Sequence, residues 1–275
     1  MIDIQNLSFS YGSNTVLQNI SLKLEEGRIY GLLGENGVGK TTLLTLLCGL
    51  KKTEHGSISI DGFDPYRRQP ELLQSLYYLP DEVAPYNQTA RRFARYTGSF
   101  WPGFDMDKFL GIMREFETDP DMKMNRMSAG QLKKTYIAFA LACNPRYLFM
   151  DEPTNGLDIP SKAQFRKAVG LYTAEDSTIV ISTHQVRDLE NIIDPIIILD
   201  RCDVLLNATI EEISEKLYFD YGTTLHQGSL YSEQLPGGFI QVQLNSGQGE
   251  SKVNIEALFN AVHKHKDLIK GMFNK

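Results

Sequence analysis

Hydrophobic and polar residues alternate through IDIQNLSFSY (2–11) and VLQNISLKL (16–24). A period of two over that length predicts two antiparallel strands, each with one face in a core. GSISIDG (56–62) repeats the pattern as a further strand. The signal then changes. RIYGLLG, SLYYLP, RYLFMD, STIVISTH and DPIIILD are short, nearly continuous apolar runs. Runs of that kind, alternating with segments of helical period such as KTTLLTLLCGL (40–50) and 130–143, predict a parallel sheet covered on both faces. Residues 86 to about 126 are charged, aromatic and helical in period, and predict a helical insertion. Past Leu217, FIQVQL (239–244) alternates as a strand and LPGG (235–238) marks a turn. Ile255, Leu258, Phe259 and Val262 share one helical face.

The expected fold is therefore α/β. A mixed-sheet core with an antiparallel β subdomain and an inserted helical subdomain (about 86–140) fills residues 1–217, and a small α+β extension follows over 218–275. A chain of 275 residues that is 42% hydrophobic supports a core of that size and argues against disorder. No apolar run reaches the roughly 18 residues of a membrane helix, and MIDIQNLSFSYG has neither the basic nor the apolar region of a secretory leader. The net charge of −6 carries no basic footprint for nucleic acid. Cys48, Cys143 and Cys202 are odd in number, far apart and without a CxxC, so they read as buried reduced thiols in a cytosolic protein.

The chemistry begins at GENGVGKTT (34–42). Gly34, Gly39, Lys40 and Thr41 satisfy G-x-x-x-x-G-K-[ST] between an apolar strand and a helix. Glycines let Glu35, Asn36, Gly37 and Val38 fold tightly, so that backbone N–H groups converge on an anion at the positive end of the helix. Lys40 would reach the outer phosphates of ATP, and the Thr41 hydroxyl would hold Mg²⁺ with Thr42 beside it. YLFMDE is the expected companion. Asp151 at a strand tip would meet the metal through water, and Glu152 would polarise an attacking water.

MSAGQ (127–131) opens a helix with a hydroxyl, a flexible glycine and free N–H groups, a second anion cradle in a chain that already has one. The economical arrangement is a dimer with each nucleotide between one chain's glycine loop and its partner's MSAGQ. These motifs in this order closely resemble the ATP-binding cassette (ABC) ATPases. MSAGQ is similar to their signature motif, with Ala129 at the place of the commoner glycine, and the resemblance puts Ser128, Gly130 and Gln131 on a nucleotide. MDEPTNGLD resembles the Walker B and D-loop run and ends at Asp158. ISTHQ resembles the switch region, which places His184 at the γ-phosphate, and FSYG places Tyr11 on adenine. Alone, Ser128 and Asp158 would be ordinary helix caps, Tyr11 packing, and His184 a strand-end residue.

The resemblance spans about residues 1–215. One cassette without membrane segments implies two copies, or a paired homologue, bound to an integral membrane permease on a separate polypeptide. That implies a cytoplasmic protein held peripherally at the inner face of the membrane. The compact cassette and short extension resemble exporter ATPases most. A soluble single-cassette ATPase of iron–sulfur assembly or regulation would share every motif, and co-purification with a membrane protein separates the two. A nucleotide kinase would leave MSAGQ and His184 without a purpose. The aromatic run RRFARYTGSFWPGF (91–104) reads either as the subdomain's own core or as a partner surface, with Arg91 and Arg92 on a solvated face.

One departure stands out. In YLPDE (78–82), Asp81 falls where the family places a glutamine that touches Mg²⁺ and the attacking water. Glu82 is the less favoured register and Gln88 lies too far along. A carboxylate is a good oxygen ligand for Mg²⁺, so Asp81 would keep the metal contact and lose the amide donor. The plain alternative is an exposed loop acid.

Overall fold

The computed structural model describes residues 1–273. β1 (Ile2–Tyr11) pairs antiparallel with β2 (Asn14–Leu24) on one side and with β4 (His55–Ile60) on the other. The period of two sets the register: Ile2 faces Leu24 and Ile4 faces Leu22, all four buried, while Lys23 stays exposed.

The main sheet contains β3 (Ile29–Leu33), β5 (Leu76–Leu79), β6 (Tyr147–Asp151), β7 (Thr178–Thr183), β8 (Ile196–Asp200) and β9 (Asp203–Ala208). Its order is β5-β6-β7-β3-β8-β9. All neighbours are parallel except the edge strand β9, which returns antiparallel on β8. The continuous apolar runs are explained by cover on both faces. Leu32 belongs to the core beneath the antiparallel sheet, and the adjacent Leu33 to the core under the helices; both are fully buried. Phe149 and Met150 divide in the same way.

Because β3, β5, β6 and β7 are parallel, their carboxyl ends share one edge, where ligands of open α/β sheets bind. Residues 34–39 follow β3, Asp81 follows β5, Asp151 closes β6 and His184 follows β7. The helix α1 (Lys40–Leu47) starts at the glycine loop and buries Leu43, Leu44, Leu46 and Leu47 against the sheet. The short α2 (Pro70–Ser75) leads into β5.

The insertion holds α3 (Ala90–Thr97), α4 (Met106–Glu115) and α5 (Ala129–Ala142). Thr89, Asp105 and Ser128 cap them, each side chain accepting from a backbone N–H in the first turn. The aromatic run 91–104 is divided. Phe93 is buried and Trp101 packs on Tyr77 and Phe139, whereas Tyr96 and Phe100 are 61% and 71% exposed. Arg91 lies on a solvated face as expected, where its guanidinium pairs with the exposed Asp121 at 2.7 Å.

α6 (Ile159–Tyr172) packs beside α4 and α5, and α7 (Ile210–Lys216) follows β9. The C-terminal segment is a three-stranded antiparallel sheet, β10 (Leu217–Gly222), β11 (Tyr231–Leu235) and β12 (Gly238–Leu244), ordered β10-β12-β11. It is backed by α8 (Ile255–Lys264) and followed by α9 (Lys266–Phe273). Phe219, Val242, Leu258 and Val262 belong to the same apolar cluster as Ile193 and Leu206. Arg187 reaches Glu256 at 2.6 Å, and Lys266 and Lys270 pair with Asp200 and Asp203. Cys48 and Cys143 are buried as expected, but Cys202 is not: it lies in the β8–β9 turn, half-exposed, its thiol donating to the Thr15 carbonyl at 3.0 Å.

Candidate nucleotide site

The glycine loop needs glycine at two places above all. Gly39 stands at φ 110°, where a side chain is strained, and a Cβ there would lie 2.9 Å from Leu17 and 3.1 Å from the Val16 carbonyl. At Gly34 a Cβ would lie 2.6 Å from the Leu199 carbonyl and 2.7 Å from Val38. The loop is thus wedged between β2 and the end of β8. Lys40 folds back over it, its Nζ donating to the carbonyls of Gly34 (2.8 Å) and Glu35 (3.1 Å).

Two acids close the site from the next strands. Asp151 is 2% exposed and accepts from the Thr41 hydroxyl at 2.6 Å and the Ser182 hydroxyl at 2.5 Å. The Tyr78 hydroxyl approaches it at 3.5 Å, and burial, helped by that carboxylate, raises the phenol well above its usual range. Glu152 sits in the left-handed region at φ 45°, a conformation that costs a non-glycine residue about 1–3 kcal/mol. Its backbone N–H is held by Ser182, through the carbonyl and the hydroxyl, both at 3.1 Å. One carboxylate oxygen, Oε2, accepts from the His184 backbone at 3.3 Å and lies 3.0 Å from His184 Nδ1. The other, Oε1, is buried and has no hydrogen-bond partner among the described residues. Lys40 Nζ lies 3.3 Å from it, an ion contact without hydrogen-bond alignment.

The loop and the two acids open onto one cavity of about 370 Å³, and His184 reaches it only through Glu152, behind the lining. Asn36, Gly37, Gly39, Lys40, Thr41 and Thr42 line it from the loop, Tyr11 from β1, and Asp81, Asp151 and Glu152 from the strand ends. Tyr11 is 47% exposed, with its hydroxyl 3.4 Å from that of Thr42 and the Lys51 ammonium 4.8 Å from its ring centre. Asn14 and Val16 also line the cavity, which the sequence did not disclose. A larger cavity, about 540 Å³, lies by α7 with Glu190, Asp194, Glu211 and Glu250 in its walls. Four carboxyls against Lys252 make it a poor host for a polyphosphate.

Other expected residues stand apart from the cavity in this single chain. Ser128, Gly130 and Gln131 are at the start of α5, where Ser128 and Gln131 cap each other at 3.0 and 3.2 Å. Asp158 caps α6, accepting from Ser161 at 2.9 Å, and this contact holds its carboxyl below the usual range. Asp81 is no free loop acid. Its carboxylate lies 3.3 Å from the ammonium of Lys133 on α5 and accepts from Asn155 at 3.3 Å. Lys133 lies outside every motif, and although Asn155, Ser182 and Tyr78 fall inside MDEPTNGLD, ISTHQ and YLPDE, nothing in those runs singles them out, since each matters through a partner distant along the chain.

The residues fit Mg²⁺ bound with a nucleotide. Thr41, Asp151 and Asp81 offer hard oxygen donors around one cavity. Among the described residues no group of three or more His, Cys, Asp or Glu could hold a metal ion by itself. Mg²⁺ takes one or two carboxylates and completes its shell with phosphate and water, and the donors lining the cavity match that need.

A glycine loop between a buried strand and a helix, facing a strand-end Asp-Glu pair, defines a P-loop nucleoside triphosphatase. The chain belongs to the ABC transporter family, whose model matches residues 17–155, and it is of the ATP-binding subunit type. It is 29% identical over 218 residues to the ABC transporter ATP-binding protein YtrB of Bacillus subtilis, a match covering 78% of this chain and 74% of the relative. It is 30% identical over 196 residues to the lantibiotic transport ATP-binding protein SrtF of Streptococcus pyogenes, covering 70% and 84%. Among solved structures, a dimeric ATP-binding cassette in a post-hydrolysis state with ADP and Pi superposes with a TM-score of 0.67 at 22% identity, over 76% of this chain and 98% of that one. This last likeness shows the fold.

Proposed function

We propose that the chain hydrolyses ATP to ADP and phosphate, as one of a pair of such subunits, to drive export through a separate integral membrane permease. The observation that carries the reading is Glu152 Oε1, a buried carboxylate oxygen without a hydrogen-bond partner in the cavity of Lys40 and Thr41. A base must keep one acceptor free, and the other oxygen is spent on His184. Oε1 takes a proton from the attacking water as its oxygen bonds to the γ-phosphorus and the bond to ADP breaks. Lys40 swings from the loop carbonyls to the β- and γ-phosphates, and Tyr11 stacks on the base. His184, oriented by Glu152, contacts the γ-phosphate. Thr41, Asp151 and Asp81 would hold Mg²⁺, which neutralises charge on the phosphates.

Ser128, Gly130, Gln131 and Asp158 face the nucleotide of the second copy, or of a paired homologue. Their place away from this chain's own cavity supports that assignment, as does the dimeric cassette of the same fold. Export is supported by the relative named for lantibiotic transport, and the same names favour transport over cluster assembly. Among the described residues no helix is long and apolar enough to cross a membrane, in keeping with a subunit held at the inner face by its permease.

The test uses the Glu152→Gln chain with ATP and Mg²⁺. Gel filtration with light scattering should show twice the monomer mass with ATP and the monomer with ADP. A monomer under both conditions refutes the paired site. Pull-down from detergent-solubilised membranes should bring a multi-span protein, and its absence refutes the transport role.

A further inference from the structure

The position of Asp81 is set by a residue that none of the motifs includes. Lys133 is 4% exposed, on the buried face of α5, and its ammonium turns toward the loop after β5. It donates to the Asp81 carbonyl, lies 3.5 Å from the Pro80 carbonyl and 3.3 Å from Asp81 Oδ1. Three donors thus meet three oxygens of two consecutive residues. Asn155 approaches from the far side, donating to both carboxylate oxygens at 3.3 Å. Asn155 belongs to the turn that begins at Glu152, whose carbonyl accepts its N–H at 3.1 Å. One carboxylate therefore joins the helix led by Ser128 to the turn that carries the proposed base.

We propose that Lys133 is the positioning residue for Asp81: it clamps residues 80–81 by two carbonyls and a carboxylate, and so sets that carboxylate at the cavity wall where a phosphate-bound cation meets it. The proposal rests on the reading of Asp81 as a metal ligand. The two halves of the clamp are chemically separable. A glutamine at 133 can still donate to a carbonyl but carries no charge, and a methionine does neither. Movement of α5 against a partner's nucleotide would pass to the metal site through this contact.

The experiment measures Mn²⁺ binding to the full-length ADP complex by electron paramagnetic resonance, with no turnover, in wild type, Lys133→Met, Lys133→Gln, Asp81→Asn and Asp81→Asn/Lys133→Met. Loss of a group that orients a metal ligand typically weakens the metal by about 10–100-fold. Lys133→Met should fall in that range, Lys133→Gln less far, and the double variant no further than Asp81→Asn alone. The Mg²⁺ concentration for half-maximal ATP hydrolysis should rise in the same order, with kcat at saturating Mg²⁺ changing far less. A general structural defect would lower kcat at every Mg²⁺ concentration. If Asp81→Asn weakens Mn²⁺ and the Lys133 variants do not, the clamp is refuted and the ligand reading stands. If Asp81→Asn binds Mn²⁺ as wild type does, the ligand reading fails and this proposal with it. Should Lys133→Met fail to fold in a thermal melt, Lys133→Gln decides by the same criteria.

Discussion

Replacing Glu152 by glutamine separates two roles that the site combines. The change is isosteric and removes one negative charge from a side chain that touches Lys40 at 3.3 Å and His184 at 3.0 Å. A general base contributes about 10²–10⁴-fold, which is roughly 3–5 kcal/mol of barrier. Turnover at saturating ATP should fall by that factor. Binding should move the opposite way. The gross Lys40–Glu152 attraction at 3.3 Å is about 5 kcal/mol at an effective dielectric of about 20. Desolvation of two buried ions offsets most of it. A remainder of about 1 kcal/mol that no longer restrains Lys40 tightens ATP about fivefold. Phosphate release gives the first quantity, and equilibrium binding of a fluorescent ATP analogue the second. Turnover within threefold of wild type refutes Glu152 as the base. Weaker ATP binding refutes the account of Lys40.

Four further outcomes follow from the geometry. Gly34→Ala drives a methyl into the Leu199 carbonyl at 2.6 Å, so the melting free energy should drop by about 1–3 kcal/mol, as overpacking does, and ATP affinity with it. Ser128→Ala should cost about 1 kcal/mol in denaturant unfolding through the lost cap; Ser128→Asp should keep that stability and abolish ATP-driven dimerisation, because the cap survives while a charge faces phosphate. Burial holds the Cys48 and Cys143 thiols well above their usual pKa, so little thiolate forms at pH 8. Iodoacetamide mass mapping of the native chain should therefore find Cys202 labelled first. Chelation of divalent cations with EDTA should stop phosphate release and leave the dimer that Glu152→Gln forms with ATP weaker by gel filtration.

The nucleotide loop was legible because its chemistry is local: Gly34, Gly39 and Lys40 act through a backbone path that a few consecutive residues dictate. The strands were legible from period and length, down to the turn at 235–238 that joins β11 and β12. Strands β9 and β10 were not, because DVLLNA and LYFDYG are short and their meaning depends on pairing with β8 and β12. Asp81 marks the limit most sharply. The sequence showed that it departs from its family, and offered a metal ligand or a free acid as readings. Its partner Lys133 lies 52 residues away, inside an apolar helix where a lysine reads as one polar letter among many. Ser128 and Asp158 show the converse, since both act as the helix caps that the local pattern allowed, and only a second subunit can add another role.

The C-terminal segment meets the rest of the chain beside two points of the nucleotide site. Arg187 and Glu256 join it just beyond His184, and Lys266 and Lys270 hold the β8–β9 turn, one residue past the Leu199 carbonyl that abuts Gly34. Its apolar residues belong to the same cluster as those of the main sheet, so a cut at Lys216 would divide one core. The segment is tied by ion pairs both to the stretch just after His184 and to the β8–β9 turn beside the glycine loop. Strain on the distal sheet would therefore reach the ends of β7 and β8 together, two places that lie far apart along the chain.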